Sequence, residues 1–203
     1  LDFQNLTTYI ELGFRHILPD GLDHILFIVA VFLSARSAVR LLVQVSAFTL
    51  SHTLTLGLTA AGVLKIDPHI VEPLIALSIA IVGVSAFFRS AQGQGLLGEA
   101  WRLPAIFAFG LFHGMGFGHA MHDMFIGADF PTVLLGAYLG VELGQLTVLA
   151  AAFAATFAIR HLLKAANREA MYRRVVVQPA AIAVAVVGSW WFLERLGVFG
   201  PVA

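Results

Sequence analysis

PTVLLGAYLGVELGQLTVLAAAFAATFAI, residues 131–159, runs for 29 positions with a single charged side chain, Glu142. A helix crossing a bilayer needs roughly 20 predominantly apolar residues, and this stretch supplies more than that. The chain on either side of it has the same character. Of 203 residues 59% are hydrophobic and only 12% charged, and the mean hydropathy is +0.88. A soluble domain carries about 25% charged residues, so this composition excludes a soluble globular enzyme and a disordered chain. Twelve basic residues balance twelve acidic ones, which leaves no basic surplus for nucleic acid. An integral membrane protein remains, with the lipid bilayer as its surroundings.

Apolar runs bounded by charges or proline mark six spans, at 21–35, 38–64, 68–88, 103–125, 131–159 and 175–193. The expected fold is all-α: one transmembrane domain over 1–203, a polytopic bundle of about six helices. The first span is short, since its 15 residues rise only about 22 Å. Ahead of it Leu6, Tyr9, Ile10, Phe14 and Ile17 recur near helical spacing until Pro19 and Gly21 break the pattern. That segment reads as an interfacial or re-entrant helix.

Charge sets the orientation. The loops after the first, third and fifth spans hold nine basic residues: Arg36, Arg40, Arg89, Arg102, Arg160, Lys164, Arg168, Arg173 and Arg174. The opposite side holds three, Arg15, Lys65 and Arg195. By the positive-inside rule both termini of this multi-pass protein then lie outside the cytoplasm. The chain begins at Leu1 and not at Met, which fits a processed product.

There is no cysteine, so a metal would have to be held by His, Asp, Glu or water. With the orientation above, such residues gather in the outer half of the bilayer. Asp23 and His24 open the first span, and His52 lies just past the middle of the second. Glu72 sits at the outer start of the third. His113 is near the middle of the fourth, with His119, His122 and Asp123 towards its outer end. Glu142, with Gln145, lies in the outer half of the fifth. Ionisable side chains inside a membrane are costly unless paired or wetted, which makes each a functional hypothesis.

The densest constellation is HILPDGLDHILF, residues 16–27. The Pro19–Gly21 break returns His16 towards Asp23 and His24, and carboxylate with imidazole suits nickel, cobalt, zinc or ferrous iron. An N-cap accounts for one Asp here but not for a second Asp and two His. Glycines at 110, 114 and 118, and again at 136, 140 and 144, form lines that admit a neighbouring backbone. Packing those two helices together would bring His113 towards Glu142 and Gln145. The expected metal ligands are therefore His24, Asp23, His52, His113, Glu142 and His16. His119, His122, Asp123 and Glu72 form an outer mouth.

HILPDGLDHILF followed by SHTLTLGL, GLFHGMGFG and GVELGQL resembles the HupE/UreJ family of small bacterial membrane proteins, over nearly the whole chain. The resemblance implies a nickel or cobalt permease of the bacterial inner membrane, linked to hydrogenase and urease maturation. It matches His16, Asp23 and His24 to the family's His–Asp–His motif, and His113 to its later His–Gly element. Here six residues separate His16 from Asp23, a wider spacing than in the better-defined nickel permeases.

Two functions of different class follow from the same residues. One is a permease or facilitator for a divalent transition-metal ion, with a homo-oligomer or an accessory periplasmic protein as further partners. The other is an intramembrane zinc-dependent hydrolase in which Glu142 or Asp23 serves as general base. A haem-binding electron carrier using His52 and His113 is a third. The inner halves of the spans are mostly apolar apart from Gln44 and Ser46, which weighs somewhat against the permease.

Overall fold

The computed structural model describes residues 3–89, 97–121 and 129–200. Among them the regular elements are all helical: α1 (Phe3–Ile17), α2 (Leu22–Ser34), α3 (Ala38–Ala60), α4 (Pro68–Phe88), α5 (Glu99–Met121), α6 (Phe130–Ala165) and α7 (Gln178–Arg195). A 3-10 turn at Glu169–Met171 and a π-helical turn at Arg173–Val177 lead into α7. The boundaries follow local chemistry. Ser37 caps α3 by accepting from the Arg40 amide at 3.3 Å, and Asp67 caps α4 by accepting from the His69 amide at 2.9 Å. Pro68 then takes the first helical position, where its missing N–H costs nothing.

Four helical segments are long and apolar enough to cross a membrane: Ala38–Ala60, Pro68–Phe88, Phe130–Ala165 and Glu169–Arg195. The α1–α2 pair bends by 70° and counts as a fifth if taken as one broken span. The expected first span is thus half of a pair: α2 has 13 residues, about 20 Å of rise. The fourth is α5, 23 residues that run parallel to α3 along much of its length. Its histidines and glycines make it less apolar than its neighbours. It also starts earlier than expected, so Arg102 is no loop residue. Arg102 is buried in the first turn of α5 and donates to Ser34 Oγ.

Close backbone packing organises the bundle. The most extensive contacts are α3 with α5, α1 with α6 and α4 with α7, and each pair meets through small residues. A methyl group on Gly110, Gly114 or Gly118 would strike α3 at Phe48 and Ser51, at His52, or at Leu56 and Thr59. On Gly136, Gly140 or Gly144 it would strike α1 at Tyr9, at Ile10, or at Ile17. Gly83 and Gly188 do the same between α4 and α7. The two glycine lines therefore do not join α5 to α6, contrary to expectation. Each admits a different partner, because a strip of small residues fixes how closely a helix can approach but not which helix.

The start of α1 and the end of α7 lie at one end of the bundle. Leu6 of α1 packs at Gly136 near the start of α6, and Arg195 of α7 donates to the Glu72 carbonyl at the start of α4. The basic residues collect at the other end, where Arg89 donates to the Ala35 carbonyl. Large apolar side chains such as Leu50, Leu54 and Phe157 face outward, while His24, His52, His113 and Gln145 are buried. That inverts the arrangement of a soluble protein and suits a multi-pass membrane protein.

Candidate metal centre

The corner between α1 and α2 builds half of the site. Gly21 lies so close to the last turn of α1 that any Cβ there would strike the His16 carbonyl. That approach folds His24 back on His16, with ring centroids 4.6 Å apart. From the other side, the Gly114 contact holds α5 against the His52 backbone. The His52 and His113 rings then lie 5.3 and 4.8 Å from that of His24. His24, His52 and His113 are each no more than 1% exposed.

One ligand nitrogen from each of His16, His24 and His52 falls within a mutual 4.8 Å, as does one ligand atom from each of Asp23, His24 and His113. His24 belongs to both groups. Ligands at about 2.1 Å around a tetrahedral ion sit about 3.4 Å apart, so closure by up to about 1.4 Å would bring the three ligands of a group to coordinating distance.

Hydrogen bonds decide which nitrogens carry lone pairs. Asp23 Oδ1 accepts from the His24 amide at 2.9 Å and from His24 Nδ1 at 3.0 Å. Nδ1 therefore holds the proton and Nε2 is left as a donor atom for an ion. Ser78 spends its only hydroxyl proton on the Ile75 carbonyl at 2.6 Å. Its 3.0 Å contact with His113 Nε2 then has the imidazole donating, which leaves His113 Nδ1 unprotonated. The nitrogens without a hydrogen-bond partner are His16 Nε2, His24 Nε2, both of His52 and His113 Nδ1. An unsatisfied buried polar group costs about 1–3 kcal/mol, so these nitrogens are held together at the expense of stability.

Aromatic rings enclose the imidazoles. Phe117 stacks on His16 with centroids 3.4 Å apart and planes at 14°. Phe48 lies 5.9 Å from His24 and 5.1 Å from His113, and stacks on Phe27 at 4.7 Å. Sequence reasoning missed these rings and Ser78. A readable signal existed: Phe27, Phe48 and Phe117 stand three or four residues from His24, His52 and His113, on the same helix faces.

Glu142 belongs to neither group. Ser46 Oγ donates to its Oε1 at 2.9 Å, and Thr49 donates to Gln145 Oε1 at 3.1 Å. Ser46 precedes His52 by six positions on α3, about 9 Å of rise. Glu142 therefore sits on the basic-end side of the histidines and does not meet His113. Glu142 Oε2, Gln145 Nε2 and Gln44 Oε1 are buried without partners. Glu72 is exposed at the start of α4. The side chain of His119, and His122 and Asp123 entirely, lie outside the described residues, so the expected mouth is not formed from described groups.

No curated protein and no solved structure matches this chain. A family model described as HupE / UreJ protein matches residues 2–195, which include every one of the histidines and carboxylates just described, and the chain accordingly belongs to the HupE/UreJ family.

Proposed function

We propose that the protein is a permease or facilitator for a divalent transition-metal ion carried as substrate, with nickel or cobalt favoured by the family. The observation that carries this reading is the pair of three-residue groups, His16–His24–His52 and Asp23–His24–His113, that share His24 in a core where ring nitrogens of all four histidines are buried without hydrogen-bond partners. Imidazole with a carboxylate in support suits borderline divalent ions. Asp23 acts on the ion through His24, whose tautomer and orientation it holds.

Below the histidines the polar residues descend in steps. Thr49 and Gln145 come first, then Ser46 and Glu142, then Gln44. Gln44 and Ser46, the two polar exceptions in the inner halves, fall in line with this descent. Phe27 and Phe48, with Gln44 and Gln145, line a void too narrow for water. In this reading they separate an upper station from a lower one at Glu142. Asp23 is engaged with His24 and Glu142 with Ser46. Glu142 stands away from the imidazoles, and Asp23, which is beside them, is engaged with the His24 amide and ring, which favours carriage over hydrolysis. The positive-inside rule assigns the basic end to the cytoplasm, so the ion enters from the extracytoplasmic side.

Metal analysis of protein purified without added metal, repeated on His24→Ala and Asp23→Ala, tests the proposal. Both variants should insert into the membrane normally and lose bound metal. If both keep the wild-type metal content, the corner is only a helix cap and the mechanism fails.

A further inference from the structure

At the basic end of the bundle lies an open cavity of about 510 Å3 where the α2–α3 turn, the end of α4, the last third of α6 and the π turn meet. Four guanidinium side chains line it: Arg36, Arg89, Arg160 and Arg173. None of the described lining residues is acidic. Arg160 lies over the Tyr172 ring at 4.5 Å from its centroid, and Arg173 donates to the Phe87 carbonyl at 2.8 Å. A ring and a carbonyl orient these two guanidiniums without neutralising them. Tyr172 is fixed in turn through its bond to Thr156 at 3.2 Å. Apolar side chains, among them Leu41 and Phe153, line the same cavity.

We infer that this cavity is a binding site for a phosphate-bearing anion. Planar guanidiniums bind phosphate oxygens through paired N–H groups, and several converge here at one opening. The ligand chemistry is a phosphate mono- or diester. Apolar side chains and guanidiniums lining one cavity match the headgroup of an anionic phospholipid with the start of its acyl chain. The same rim would also take a soluble phosphate. Occupancy would tie α6 and α7 to the α2–α3 turn, across the inner exit of the proposed metal path. The site does not depend on the metal reading, since no histidine or carboxylate of the cluster lines it.

The test uses the full chain, delipidated in a neutral detergent. Retention of phosphatidylglycerol against phosphatidylcholine is read by native mass spectrometry, and the shift in melting temperature is read with phosphatidylglycerol, glycerol phosphate and inorganic phosphate. The expected result is selective retention of phosphatidylglycerol, weakened about fivefold by Arg160→Gln, partly restored by Arg160→Lys and unchanged by Arg168→Gln. Arg168 is basic and exposed but does not line the cavity. Equal stabilisation by glycerol phosphate or inorganic phosphate would support the site and identify a soluble ligand. If Arg168→Gln weakens binding as much as Arg160→Gln, the effect is general surface charge and the proposal is overturned. It is equally overturned if no phosphate compound binds better than phosphatidylcholine.

Discussion

Replacing His52 by Leu should separate binding from stability. Both ring nitrogens of His52 are buried without partners, and the residue is 0% exposed. A neutral imidazole presents one donor and one acceptor, and each left unsatisfied costs about 1–3 kcal/mol. Leu removes both groups at similar volume, with an imperfect fit worth up to about 1.5 kcal/mol. The metal-free variant should therefore be more stable than the wild type, by about 0.5–6 kcal/mol. At roughly 2–4 °C per kcal/mol for a chain of this size, the melting temperature should rise by several degrees. Binding should move the other way. A four-ligand zinc site is worth about 10–16 kcal/mol, roughly 3 kcal/mol per ligand, so affinity should fall about 100-fold. The assay is a thermal melt in detergent with chelator present, followed by titration with nickel or cobalt. A variant that melts below the wild type under chelator, yet binds metal with unchanged affinity, would refute the argument and make His52 a packing residue.

Glu142→Gln keeps an acceptor for Ser46 and removes the charge. It should preserve stability and lower ion transport by about tenfold or more, and unchanged transport would assign Glu142 to helix packing. Gly114→Ala would push a methyl group into the His52 carbonyl and the Thr55 hydroxyl, costing at least about 1–3 kcal/mol and weakening metal binding with it. Gly98→Ala, which meets nothing within 4 Å, should change chemical-denaturation stability by less than about 0.5 kcal/mol. A reporter fused after Ala203 should read as extracytoplasmic and one inserted within 164–174 as cytoplasmic, and the reverse pattern would invert the direction of entry.

The membrane class, the all-helical fold and the convergence of His16, Asp23 and His24 were legible because each rests on neighbours in sequence. Pro19 and Gly21 announce a corner, and a corner between two short helices brings their ends together. Lateral packing was not legible. Gly110 and Gly136 each begin a line of small residues, but nothing in either line names its partner, so α5 was matched to α6 when its contact is α3. Arg102 was misplaced because charge marks a loop only on average, and the Ser34 hydroxyl gives its guanidinium a partner inside the bundle. The rings around the histidines were passed over for a statistical reason. With 17 phenylalanines in the chain, a Phe three or four residues from a His carries little information until helix contacts are known.

The three glycine-lined pairs have a mechanical consequence. His16 rides with the α1–α6 pair, His52 and His113 with α3–α5, and Ser78, which holds His113, with α4–α7. Asp23 and His24 stand on α2, which packs against α3, α4, α6 and α7 and touches α1 at the corner. Pairs joined backbone to backbone are stiff within themselves, so the cheapest displacement is one pair sliding past another. The cluster thus lies at a seam between pairs, and an ion bound there would work as a rivet. Metal–nitrogen bonds tolerate only about 0.2 Å of misfit, so a slip of 1 Å between pairs would turn a tight site into a loose one without altering any ligand. Spin labels on α1 and α3 would register that slip as a distance change when the ion is removed, and a distance that stays fixed would leave the rivet with nothing to join.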